Sequence, residues 1–105
     1  MSNPIKREYD KMSVTRDIVE RENIIRQFQA TGFLDRNEAI EKIMSLQLTD
    51  ADMAFATVAK QKQCGGVDLY QADNNLIVAN IQFQIDILKA KLAKLELEEE
   101  VNGGK

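Results

Sequence analysis

The groups with which this chain could do chemistry are carboxylates, amines and guanidinium groups, because it contains no histidine and a single cysteine, Cys64. Without an imidazole it lacks the usual general base near neutral pH and the commonest nitrogen ligand for a metal. One thiol can build neither a structural zinc site nor an internal disulfide. Cys64 stands beside Gly65-Gly66 and reads as a small residue near a turn rather than as a nucleophile. Asp50 and Asp52 flank Ala51, but a calcium loop would also need a glycine turn and a distant glutamate, so the pair reads as helix capping. Gly65-Gly66 and Gly103-Gly104 lack the spaced glycines and the lysine followed by serine or threonine that cradle a nucleotide. These sets point away from catalysis, and no metal or cofactor is expected.

Nucleic acid and membrane are disfavoured on charge and hydropathy. The formal charge is −3, which repels phosphate and anionic lipid. Tyr9, Tyr70 and the phenylalanines are not interleaved with a basic stripe, as stacking on single strands would need. Residues 35–63 have the layout of a helix-turn-helix, yet the second helix opens with Asp50 and Asp52, which would face phosphates at the end where helices normally welcome them. No run of apolar residues is long enough to span a bilayer, and the start Met-Ser-Asn-Pro-Ile-Lys lacks a signal peptide's apolar stretch. The expected location is cytoplasmic.

The elements that must position these groups read as helices. At 105 residues the chain is one domain at most. Residues 1–12 are mixed in charge with few apolar groups and read as a flexible N-terminal arm, with Ile5, Tyr9 and Met12 as anchors for a partner. A first helix follows from Ser13, with Asp17 and Glu20 as a capping box, Ile18, Ile24, Ile25 and Phe28 inward, and Gly32 as its stop. Asp35 with Glu38 starts a second, from about Arg36 to Ser45, burying Ala39, Ile40, Ile43 and Met44. Thr49 with Asp52 starts a third, from about Asp50 to Gln63, burying Met53, Ala54, Val58 and Ala59; Leu34 and Leu48 stand where apolar residues reinforce such caps. Asp68 with Gln71 opens a fourth, from about Leu69 to Glu100, unless Asp73-Asn74-Asn75 breaks it and moves its start to about Asn75. Residues 102–105 read as a disordered tail.

The fourth helix carries the most regular pattern. Val78, Ile85 and Leu92 take heptad a positions and Ile81, Leu88 and Leu95 take d positions, the spacing of a coiled-coil seam that favours a two-stranded parallel pair. Leu76, Phe83, Ile87 and Leu97 widen the stripe, which suits a helix packed on several neighbours of its own domain. Both uses of the seam, between chains and within one, remain open at this level. Acid collects behind it in Glu96, Glu98, Glu99 and Glu100, the wrong sign for a helix C-terminus unless a basic partner covers it.

The stretch Ser13-Val14-Thr15-Arg16, followed by Glu22-Asn23-Ile24-Ile25-Arg26-Gln27-Phe28-Gln29-Ala30-Thr31-Gly32, resembles the N-terminal segment of internal scaffolding proteins from small single-stranded DNA phages of the gokushovirus type. Those proteins open with a disordered arm, then show a short Ser-x-Thr element and a helix that ends in an aromatic residue and Thr-Gly, here Phe28, Thr31 and Gly32. The resemblance covers residues 13–32. It implies an assembly role, with many copies lining a forming capsid and contacting coat protein.

The expectation is therefore an all-α chain, three short helices packed near the start of one long C-terminal helix with coiled-coil character. Its function is that of a non-enzymatic assembly or interaction protein, a homo-oligomer with a dimer favoured, joined through Val78, Ile81, Ile85, Leu88, Leu92 and Leu95 and contacting another protein such as a coat protein. The alternative is a small acidic regulator or inhibitor of one protein. Salt separates the two, because charge-driven binding weakens steeply with ionic strength and an apolar seam scarcely responds.

Overall fold

A computed structural model of the chain describes residues 4–103, with side chains from 5 to 98. Every regular element among them is an α-helix: α1 Pro4–Ala30, α2 Arg36–Ser45, α3 Asp50–Met53, α4 Val58–Cys64 and α5 Asn74–Gly103. At 1.5 Å per residue α1 and α5 are about 40 and 45 Å long, and the molecule is elongated, 51 × 27 × 17 Å.

Two long helices are present where one was expected, because residues 4–12 extend the first helix instead of forming an arm. Pro4 at the first helical position loses nothing by lacking an amide hydrogen there. Asp17 and Glu20, read as a capping box, lie in the middle of α1. Residues 1–3 lie outside the described residues. The helix ends at the expected glycine. Gly32 takes φ +65° and donates its amide to the Gln29 carbonyl at 3.0 Å, while the Phe33 amide reaches back to the Phe28 carbonyl at 2.9 Å, the pairing of a Schellman cap. The Phe28 and Phe33 rings close it edge to face at 4.9 Å. Phe33 itself sits at φ +66°, an uncommon conformation for an aromatic residue that this ring contact supports.

α2 spans the expected residues and buries Ala39, Ile40 and Ile43, but Met44 points outward. Asp35 makes no side-chain cap bond, and Leu34 is 85% exposed rather than packed before the cap. The expected third helix is two. Thr49 and Asp52 form the capping box of α3, but after Met53 the chain turns and Thr57 Oγ1 accepts the Lys60 amide to start α4. A second N-cap within the segment competes successfully with continuation of the helix. Ala54, Val58 and Ala59, expected inside, are exposed, and Met53 is half-buried.

α5 starts at Asn74, the later of the two starts considered, because the Asp73 carboxylate accepts the Leu76 amide at 2.7 Å. Asp68 instead holds a turn by accepting the Tyr70 amide. One guanidinium fastens this turn to α2: Arg36 donates to the Asn74 side chain at 2.9 Å and to the carbonyls of Leu69, Tyr70 and Ala72. The expected disordered tail begins inside α5, which runs to Gly103, and residues 104–105 lie outside the described residues.

The direction of packing follows from two contacts. Arg36, just beyond the end of α1, reaches the first residue of α5, while Arg21 in mid-α1 reaches Gln84 in mid-α5. Stepping back along α1 therefore means stepping forward along α5, and the two helices are antiparallel. Val14, Ile18, Ile24 and Phe28 of α1 share one core with Ile77, Ile81, Ile85 and Leu88 of α5, closed by Ala39, Ile40 and Ile43 of α2.

Candidate protein-interaction surface

α5 has two working faces, which explains the width of its stripe. Along the seam, Ile81, Ile85 and Leu88 are buried, and Val78, Leu92 and Leu95 are half-buried against the same core. The chain's own core thus covers Ile81, Ile85 and Leu88 fully and Val78, Leu92 and Leu95 in part. The second face, Asn80, Gln84, Lys91 and Lys94, meets α1 and the short helices. Asn80 Nδ2 donates to the Gln63 carbonyl near the end of α4 at 2.9 Å, Lys91 Nζ lies 2.6 Å from the Asp52 carboxylate of α3, and Lys94 stands over the Phe55 ring at 5.4 Å.

A buried polar ladder joins the two faces. The Arg21 guanidinium is 2% exposed and donates from Nε to Gln84 Oε1 at 2.9 Å, from Nη1 to the Asp17 carbonyl at 3.1 Å and from Nη2 to the Leu46 carbonyl. Gln84 Nε2 donates onward to Asn80 Oδ1 at 3.0 Å. The ladder thus fills the vacant carbonyls near the ends of α2 and α4, which have no partners inside their own helices. Burial pulls the Arg21 pKa below its ordinary value, opposed by the fields of Asp17, Asp52 and Glu20. Sequence patterning missed these residues because polar side chains at core positions read as surface. The available signal was that Val14, Arg21 and Phe28 recur every seven residues on one face.

Asp52 also has a perturbed carboxyl. Burial raises its pKa, but the Lys91 ammonium and the backbone and hydroxyl of Thr49 more than offset this and hold it below the ordinary carboxylate range. The Cys64 thiol is pushed up, first by burial and then by Asp86, with Lys60 opposing. It is therefore protonated and poorly nucleophilic near neutral pH. Two open cavities accompany these groups. One of about 350 Å³ lies between α1 and α2 over Ile24 and Phe28. The other, of about 460 Å³, lies beside Met53, Cys64 and Leu69, with Asn80 and Gln84 among its walls. The Asn80 and Gln84 amides are already engaged in the ladder. Among the described residues no three cysteine or acidic side chains converge as metal ligands, and no helix is long and apolar enough to cross a membrane.

The remaining candidates, Ile5, Tyr9 and Met12, face outward on α1, 79%, 68% and 70% exposed. Their spacing of four and three keeps them on one face, and Val19, one heptad past Met12, extends the row at 45% exposure. Val14 and Ile18, on the opposite side of the same helix, are buried. Other exposed apolar residues, such as Leu34, Val58, Tyr70 and Leu97, are spread over different elements, an ordinary feature of protein surfaces. The row on α1, apolar from Ile5 to Met12 and resumed at Val19 beyond Arg16, is a clustered exposed apolar surface of the kind that marks a contact with another molecule. Compared with protein-family models, with curated proteins and with solved structures, the chain matches none.

Proposed function

We propose that this chain is a non-enzymatic protein-interaction module whose contact surface is the outer face of α1. The observation that carries this reading is the exposure of Ile5, Tyr9 and Met12 in register on a helix whose inner face is already buried. In this reading the coiled-coil spacing of α5 from Val78 to Leu95 serves an antiparallel pairing with α1 inside one chain. The short helices brace α5 from Asn74, which Arg36 of α2 reaches, to Lys91, which pairs with Asp52 of α3, so the outer face is presented on a stiff support. Rigid presentation lowers the entropy lost on binding. The resemblance of residues 13–32 to phage internal scaffolding proteins supplies one setting, in which coat protein is a partner and assembly the outcome.

The test is photocrosslinking from position 9. With benzoylphenylalanine in place of Tyr9, the chain expressed in cells forms discrete protein adducts that the same probe at Lys62, exposed on α4, does not form. Equal yields from the two positions refute the assignment of the face.

A further inference from the structure

Resting on that assignment of the outer face, we infer that its partner is a second copy of this chain, docked antiparallel on α1 about a two-fold axis at Met12. The row is its own complement under that operation. Ile5, Tyr9, Met12, Arg16 and Val19 follow one another at steps of four, three, four and three, and reversal about Met12 returns the same helical face. Ile5 then meets Val19 of the second copy, apolar on apolar, and Met12 meets Met12. Tyr9 meets Arg16 of the second copy, placing a guanidinium over a tyrosine ring, and symmetry makes this contact twice.

The charges along the row select the orientation. Lys6 flanks Ile5 and Glu20 flanks Val19, so the antiparallel arrangement brings Lys6 to Glu20 of the second copy, twice. On the other flank Glu8 comes beside Arg16 of the second copy. Arg16 and Glu20 are well exposed, at 67% and 43% of their side chains, and their 4.0 Å pairing within one helix leaves them accessible to a second partner. A parallel arrangement in register would instead set Arg16 on Arg16 in the middle of the contact, like charge on like, which opposes association.

Area sets the strength. At the exposures found for Ile5, Tyr9, Met12 and Val19, their side chains offer on the order of 500 Å² per copy, so a pair covers on the order of 1,000 Å², the lower edge of specific interfaces. The contact is thus a reversible, concentration-dependent dimer. Because the same patch is used on both copies, association closes at two and does not propagate into a filament.

Single-cysteine variants in a Cys64→Ser background test the geometry, joined by a short bismaleimide. Met12→Cys lies on the axis and links to itself. Val19→Cys does not, since two copies of residue 19 stand about 20 Å apart along paired helices, but it links to Ile5→Cys in a mixture. Sedimentation equilibrium of the unmodified chain shows a mass rising toward two chains with concentration, whereas Tyr9→Glu stays at one with unchanged helical circular dichroism. Self-linking of Ile5→Cys, Met12→Cys and Val19→Cys alike overturns the antiparallel orientation. A single-chain mass at every concentration, with no linking at Met12→Cys, overturns the second copy as partner. Photocrosslinking from position 9 would then decide separately whether the face binds another protein.

Discussion

Replacing Gln84 with leucine should destabilise the fold far more than a surface amide would. Gln84 accepts from the Arg21 Nε and donates to Asn80, so the change removes a charge-assisted bond of about 1.5–3 kcal/mol and a neutral one of about 0.5–1.5 kcal/mol. It also strands a guanidinium N–H in a buried site, since Arg21 is almost fully buried. A net loss of about 2–4 kcal/mol is expected, a large part of the 5–15 kcal/mol that holds a typical domain. At this chain length that lowers the melting midpoint by roughly 8–32 °C, taking about 4–8 °C per kcal/mol. The double change Arg21→Met with Gln84→Leu removes both ends of the bond and should recover at least half of the loss, because two apolar partners leave nothing stranded between them. Thermal and urea unfolding followed by circular dichroism measure both. A Gln84→Leu chain within about 0.5 kcal/mol of the parent, the range of an ordinary surface change, or losses that simply add in the double variant, would refute the ladder as a buried, coupled unit.

Three further outcomes follow from the same packing. Asp52 has a folded pKa below its unfolded one, so its stabilising contribution is complete above the ordinary carboxylate range and disappears as pH falls through the folded value; Asp52→Asn should flatten the acid limb of a stability-versus-pH curve and lower stability near neutrality by about 1–2 kcal/mol. Leu88→Ala, at a position 1% exposed, should cost about 2–5 kcal/mol in urea unfolding; the folded variant should show the same mass as the parent at each concentration, whereas a chain joined through the seam would lose subunits. Cys64, its thiol raised by burial, should react with iodoacetamide at pH 7 more slowly than free cysteine and speed up on unfolding.

The parts of the fold that could be read in advance are those set by local chemistry. Gly32 ends α1 because a left-handed residue is needed there, and the Thr49–Asp52 box starts α3 because both partners lie within one turn. The start of α1 was hidden for a tertiary reason. Beyond Val14 the inner face continues through Lys11, whose side chain is 22% exposed, and a long amphipathic side chain can cover a core without raising the apolar count. The seam on α5 was plain in its spacing, but spacing does not say which helix covers it. That depends on contacts such as Arg36 to Asn74 and Arg21 to Gln84, 38 and 63 residues apart. The face proposed for interaction is half legible: Ile5, Tyr9 and Met12 stand out as apolar residues in a polar stretch, yet their common direction follows only from the helix over residues 4–12, which also brings Val19 into the row.

The claim on which the rest depends is that the seam of α5 is closed by α1 of the same chain, leaving the outer face of α1 exposed. Spin labels at Glu8 and Glu96, both exposed, in a Cys64→Ala background and diluted into excess unlabelled chain, read that arrangement as a distance by pulsed electron paramagnetic resonance. The expected distance is short, an interhelix separation of about 8–10 Å plus the reach of the labels, and unchanged by dilution. A distance approaching the 51 Å length of the molecule, or a short one that vanishes on dilution, would contradict it.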